Sequence, residues 1–377
     1  MSFDTNKMAI KLLRCRGNLE LSLEEVSEMT GILKDRLQAI ESGRIEPYGD
    51  EILILADIYQ EDFKFFISNE KLSASEKVEE LYRAKGDKFT KEDKRMIQTF
   101  INLCDNEQFV WDSLQVNKNK YSLPYINQDF IKKEDGILAA KALRKHLGYN
   151  GLEGYNNLYS EFRKLGIHIF RMRLQNSTLS GLFIKHPEAG LCILINYDEN
   201  IYRQNFTLAH EIGHALMDAM DFNVSLSDDK TDFREYRANA FASSFLMPPE
   251  IIEQISESSL TNDFIYKQAD KFRVNVPAFL IALKNANILD NNKYHYWKKQ
   301  QIRIPRTKQY DYEFKDLTGK LKDSYSIVME KGLTPSYIRF CHQAYQENII
   351  SEERLSEMLL IDIYELAYLL ELFNLKL

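Results

Sequence analysis

Residues Asn205–Asp218 read NFTLAHEIGHALMD, with His210 and His214 four positions apart and Glu211 directly after the first. On a helix, residues four apart share a face, with Cβ atoms roughly 5–6 Å from one another. Both imidazoles can then reach one ion at the roughly 2.0–2.1 Å that a zinc–nitrogen bond requires. Glu211 is turned about 100° from His210, the step set by the helical repeat. Its carboxylate lies beside the ion rather than on it, where it can take a proton from a water held there. Phe206, Leu208, Ile212, Ala215 and Leu216 make the rest of the helix apolar. Burying a His-Glu-His face with nothing bound to it would be costly. A lone histidine is usually an ordinary surface or core residue, but this pair reads as one wall of a metal site.

A catalytic zinc site uses three protein donors and keeps one position open. The third donor has to come from another element. Glu235 is the best placed, twenty-one positions after His214 near the start of the largely apolar run FREYRANAFASSFLM. Asp228, Asp229 and Asp232 are rivals in the stretch DFNVSLSDDKTD, read as a polar loop and therefore a less rigid mount. One turn beyond Glu235, Asn239 faces the same way and can fix an imidazole tautomer. A further donor to the oxyanion is expected. Tyr202, Tyr236 and Arg237 are all near in sequence and none is preferred. A peptide substrate would add a strand to the edge of a small sheet. The hairpin Ser180–Asn196 is expected to supply that edge.

The chain of 377 residues exceeds what one hydrophobic core usually organises, so two or three domains are expected. Its hydrophobic share of 44% and aromatic share of 12% mark a folded globular protein. The opening MSFDTNK carries no secretory pattern, and no apolar run approaches the roughly 18 residues of a spanning helix. Cys15, Cys104, Cys192 and Cys341 are far apart and form no CxxC pair, which argues against disulfides and cysteine-based zinc sites. A cytoplasmic protein with no membrane partner is expected. Phosphate loops and serine-hydrolase elbows are absent: TGK at 318–320 lacks the upstream glycine, and there is no GxSxG.

Helix dominates the patterning. In MAIKLLRCRGNLELSLEEVSEMTGILKDRLQAIESGRIEP, apolar residues recur at three and four positions. Ser22 and Glu25 form a capping box, and MTGI breaks the first of two short helices from the second, expected over about Leu33 to Glu41. ILAAKALRKHLG and NNLYSEFRKLG read as amphipathic helices, and GIHIFRMRL as a strand. SGLFIKHPEAGLCILIN reads as a hairpin. KKQQIRIPRTKQ, residues 298–309, is the most basic run, either a solvated linker or a contact with nucleic acid or an acidic partner. The last fifty or so residues have a helix-turn-helix cadence with little positive charge, expected to pack as a lid or bind a partner.

TLAHEIGHALMD, followed by ExxANxFAxxFLMP from Glu235 to Pro248 and preceded by a strand ending ILIN, resembles the ImmA/IrrE family of zinc metallo-endopeptidases over about residues 136–290. The resemblance implies His210, His214 and Glu235 as ligands of one Zn2+, with Mn2+ an alternative, and Glu211 as general base. Asn239, Ala240 and Phe241 would be structural. The N-terminal segment resembles the lambda-repressor-like, Xre-type helix-turn-helix, whose second helix enters the major groove. Lys34, Arg36 and Gln38 would then face bases or phosphates, with Arg44 towards the backbone.

The expected architecture is mainly α with a small central β-sheet. It comprises a helix-turn-helix domain at 1–70, a helical connector at 71–135, a zincin-like α+β metallopeptidase domain at 136–297, and a basic linker with a C-terminal helical unit at 298–377. The family implies cleavage of a repressor-type protein encoded nearby, in a stress, DNA-damage or mobile-element response. A phage-defence role would share the same chemistry. The alternative is a DNA-binding regulator or antitoxin whose metal domain senses or holds a partner without cutting it, and a homodimer is compatible with either reading. Residues 1–70 carry 8 Lys and Arg against 14 Asp and Glu, a net of −6 within a chain of −7. Phosphate binding normally rests on a basic face, so this balance points the helix-turn-helix towards weak DNA binding or protein docking.

Overall fold

The computed structural model describes residues 4–61, 63–68, 89–116, 132–149, 157–174, 178–218, 222–226, 233–306, 309, 311–314 and 320–377. It is mainly helical with one small sheet, as the patterning led one to expect. Asp228, Asp229, Asp232 and most of the expected connector lie outside the described residues. The chain divides into two compact units, Met1–Asn106 with Leu174–Ser177, and Glu107–Arg173 with Thr178–Leu377.

The first unit is built from helices Thr5–Asn18, Leu23–Thr30, Lys34–Glu41, Gly49–Tyr59 and Phe63–Ile67. The capping box is formed: Ser22 Oγ accepts from the Glu25 backbone N–H at 3.1 Å, and Glu25 Oε2 accepts from the Ser22 N–H at 2.7 Å. Met8, Leu12, Val26, Leu37, Ile40 and Leu55 form its core. Two short helices joined by a three-residue turn lie at its centre.

The second unit holds the sheet: β1 His168–Met172, β2 Leu179–His186, β3 Gly190–Asn196 and β4 Phe222–Leu226, in the order β1-β3-β2-β4. β1 runs parallel to β3, and the β2 pairings with β3 and β4 are antiparallel. Two expectations change here. The stretch read as a polar loop contains β4, and the hairpin expected at the edge is internal because β4 covers the outer side of β2. The edges are β1 and β4. At its end β1 is met by Lys331 across a bridge from Met172, and by Glu330, whose carbonyl accepts from the Arg173 N–H at 2.8 Å.

Helix Ile201–Met217 lies on β2 and β3. It starts at Asn200, whose side chain accepts from the Arg203 N–H, and thirteen of its residues are buried. Helix Phe233–Leu246 packs against it, and helix Lys133–His146 packs on Phe233–Leu246 in turn. Glycine sets both crossings. A Cβ at Gly213 would stand 3.0 Å from the Phe241 ring, and one at Gly136 would stand 2.3 Å from the Arg237 carbonyl oxygen. The C-terminal helices Lys320–Glu330, Pro335–Gln346, Glu352–Met358 and Leu366–Leu372 bury Tyr337, Ile338, Leu355 and Leu366.

The basic stretch is more than a solvated linker. Ile304 is buried in the main core, and Asp311 and Glu313 pair with the buried Arg171 of β1, each at 2.7 Å. Glu313 also takes Arg163 at 2.6 Å. Such buried ion pairs stabilise little over an apolar replacement, but breaking one strands a charge.

An Ala in place of Gly is normally favourable inside a helix by about 1 kcal/mol. At position 136 the methyl would meet backbone that cannot rotate away, and overpacking costs about 1–3 kcal/mol. Gly136→Ala is therefore expected to lower the melting temperature, with Gly17→Ala, which meets nothing within 4 Å, as the control that does not.

Candidate metal centre

The tight crossing at Gly213 brings Glu235 over the histidine pair. His210 Nε2 and His214 Nε2 are 3.0 Å apart. Glu235 places Oε2 at 3.1 Å from the first and Oε1 at 3.2 Å from the second. These atoms form a cluster able to hold a metal ion. Donors bound tetrahedrally at roughly 2.0–2.1 Å lie about 3.3 Å from one another. Each of these separations is close to that value, with the two carboxylate oxygens of Glu235 each facing a different imidazole.

The outward ring nitrogens are also held. Asn239 Oδ1 accepts from His210 Nδ1 at 3.1 Å, and Asp218 Oδ2 accepts from His214 Nδ1 at 2.5 Å. Each bond puts a proton on Nδ1 and turns the Nε2 lone pair inward, the arrangement metal-bound imidazoles use. Asp218 is in turn paired with buried Arg237. Sequence reading missed Asp218. It ends the helix in extended backbone, with φ −100° and ψ 136°, so its place beside His214 depends on where the helix stops.

Burial pushes His210 below the ordinary histidine range. It acts the same way on His214, but hydrogen bonds to Asp218 and Glu235 and the charge of Glu211 outweigh it and raise that imidazole to about 9. Burial alone would raise Glu235, yet its two histidine partners hold its carboxyl well below the usual range. The imidazoles shift in opposite directions because His214 has Asp218 and Glu211 as further acidic neighbours, while the charge of His214 adds to the burial that lowers His210. A divalent cation would answer the surrounding carboxylates with more charge than one imidazolium does.

Glu211 is fully buried. Its carboxylate lies under β2 at Gly181, where a Cβ would fall 2.9 Å from Glu211 Oε1 and 2.5 Å from Thr207 Cγ2. A strand residue without a side chain therefore makes the room the carboxylate occupies, a second feature the sequence did not reveal. Of the three oxyanion candidates, Tyr202 is buried with its hydroxyl on Asp270, and Arg237 is committed to Asp218. Tyr236 is 56% exposed on the Glu235 helix.

In the first unit the side chains expected to meet nucleic acid are differently engaged. Lys34 pairs with Glu24. Arg36 grips Glu51, with Nη2 at 2.7 Å from Oε2, and lies 4.4 Å over the Tyr48 ring. Arg44 Nε donates to Ser42 Oγ at 2.9 Å, and Gln38 is exposed.

Helix, sheet and donor cluster together define a metallopeptidase-type domain. Residues 162–284, about a third of the chain, match the model of the M78 peptidase family, the IrrE N-terminal-like domain. The match supports the ImmA/IrrE resemblance and a peptidase, and it implies a bound metal. No curated protein matches the chain. Among the described residues no helix is long and apolar enough to cross a membrane.

Losing the partner of a metal-bound imidazole typically costs about 10–100-fold in affinity. Asp218→Asn is expected to weaken zinc binding by that margin in a chelator competition. A cation bound by His214 would have to displace the proton that this imidazole holds below about 9. Affinity should therefore fall about tenfold for each pH unit lowered through the neutral range, measured by the same competition.

Proposed function

We propose that this protein is a zinc-dependent endopeptidase that cuts a regulatory protein, a repressor-type partner encoded nearby. The observation that carries the reading is the convergence of both Nε2 atoms and the Glu235 carboxylate, every pair within 3.2 Å. His210, His214 and Glu235 would hold the ion, with Asn239 fixing the His210 tautomer. Zn2+ suits the two imidazoles and one carboxylate, and Mn2+ is the alternative. A bound ion would polarise the scissile carbonyl and acidify a water.

Glu211 takes the proton of the attacking water and delivers it to the leaving amine. Its burial beneath Gly181 holds the carboxylate in one place and excludes bulk solvent around it. Tyr236, exposed beside Glu235, is the remaining candidate to steady the oxyanion. The substrate adds to the outer side of β4, the edge with no strand partner among the described residues. The setting, a stress, DNA-damage or mobile-element response, follows the family resemblance.

The N-terminal unit serves protein recognition in this scheme. With Lys34 and Arg36 already paired with carboxylates, helix Lys34–Glu41 presents little free charge to a phosphate backbone. A domain that only held a partner would have no use for a carboxylate buried beside the donor cluster.

Removing a general base costs about 10²–10⁴-fold in rate. Wild type should deplete the full-length partner on co-expression with the neighbouring gene's product, and Glu211→Gln should spare it while keeping its zinc. Cleavage by Glu211→Gln at the wild-type rate would refute the mechanism.

A further inference from the structure

We propose that helix Asn291–Lys299 and the chain that follows it to Arg303 form a binding surface for single-stranded nucleic acid. Residues 284–308 carry seven Lys and Arg against one Asp, a net of +6 inside a chain of −7. The structure gathers these charges around aromatic rings. Lys284 Nζ lies 5.1 Å from the centre of the Tyr294 ring, and Lys298 Nζ lies 6.0 Å from it. Lys299 and Arg303 continue the exposed surface. A third helix adds to it, since Lys133 Nζ donates to Asn285 Oδ1, next to Lys284, at 3.2 Å.

These cations differ from their neighbour Lys293 and from the paired cations Lys34 and Arg36 of the N-terminal unit. Lys284, Lys298, Lys299 and Arg303 form no ion pair among the described residues, whereas neighbouring Lys293 is held by Glu257 at 2.6 Å. An unpaired cluster of like charge repels itself, and an incoming polyanion relieves that repulsion while releasing the counterions both surfaces carry.

The aromatic content selects among polyanions. Tyr296 is 58% exposed and His295 stands exposed beside it. Exposed rings between lysines suit a strand whose bases can stack while its phosphates meet cations. Duplex recognition fits less well. Groove-reading helices present their N-terminal residues to the bases, and here the cations cluster at the C-terminal end of a nine-residue helix. An acidic protein would need the lysines but not the rings.

The test is fluorescence anisotropy of the full chain with labelled 20-residue oligo-dT and oligo-rU, at about 50 and 200 mM salt. Three or four phosphate contacts on a single strand predict binding about 20–50-fold weaker at the higher salt. The quadruple variant Lys284→Glu, Lys298→Glu, Lys299→Glu, Arg303→Glu should lose binding while keeping its melting temperature and zinc content. Tyr296→Ala should weaken binding roughly tenfold by removing one stacking platform. No binding by the wild type, or unchanged binding by the quadruple variant, overturns the proposal. So does competition by polyglutamate as effective as by the oligomers, or indifference to Tyr296→Ala. Glu211→Gln should bind like the wild type, which separates this surface from the peptidase reading.

Discussion

The approach of helix Phe233–Leu246 to helix Ile201–Met217 is the constraint on which the site depends. Phe241 packs on Gly213, and any Cβ at that position would stand 3.0 Å from its ring. The crossing sets Glu235 within 3.2 Å of both imidazoles, a spacing no single helix could offer. It also fixes the register, because the same helix that bears Glu235 at its start bears Asn239 one turn on and Arg237 between them. Arg237 then carries the constraint to Asp218 and back to His214. One packing contact therefore positions three of the side chains around the histidines.

That crowding has an electrostatic cost. Taking a carboxylate out of water costs several kcal/mol even after relaxation, and Glu211 and Asp218 are buried while Glu235 is largely so. Arg237 offsets one of these charges. The raised His214 offsets another, holding a proton at a pH where a free histidine would have lost it. A site with this balance favours a cation of higher charge than a proton, and this follows from the arrangement of the charges whatever reaction they serve.

How much of this the sequence could disclose depends on the range of the interactions. The pairing of His210 with His214 is local, set by the helical repeat alone, and so is the Ser22–Glu25 box. Glu235 could be named only as the best of several candidates, because its position depends on a crossing between separate helices. β4 escaped notice because FNVSL is a five-residue edge strand flanked by polar residues, and its evidence is its pairing with β2. Gly181 gave only a general sign, because a glycine in a strand can mark a bulge, a bend or a close approach, and the sequence does not tell which. Asp218 looked like the end of a helix, and its contact with Arg237 spans nineteen positions.

The same distinction governs the reading of charge. Counting residues makes the N-terminal unit acidic, but counting cannot tell which cations remain available. Lys34 and Arg36 are tied to Glu24 and Glu51, ten and fifteen positions away, so the helix that patterning marks for a groove carries little free positive charge. Lys284, Lys298, Lys299 and Arg303 form no such pairs among the described residues, although the chain as a whole is acidic. Counterion release depends on cations that phosphates can reach. The pairing of each cation, rather than the net charge of a domain, therefore decides where this protein can meet a polyanion.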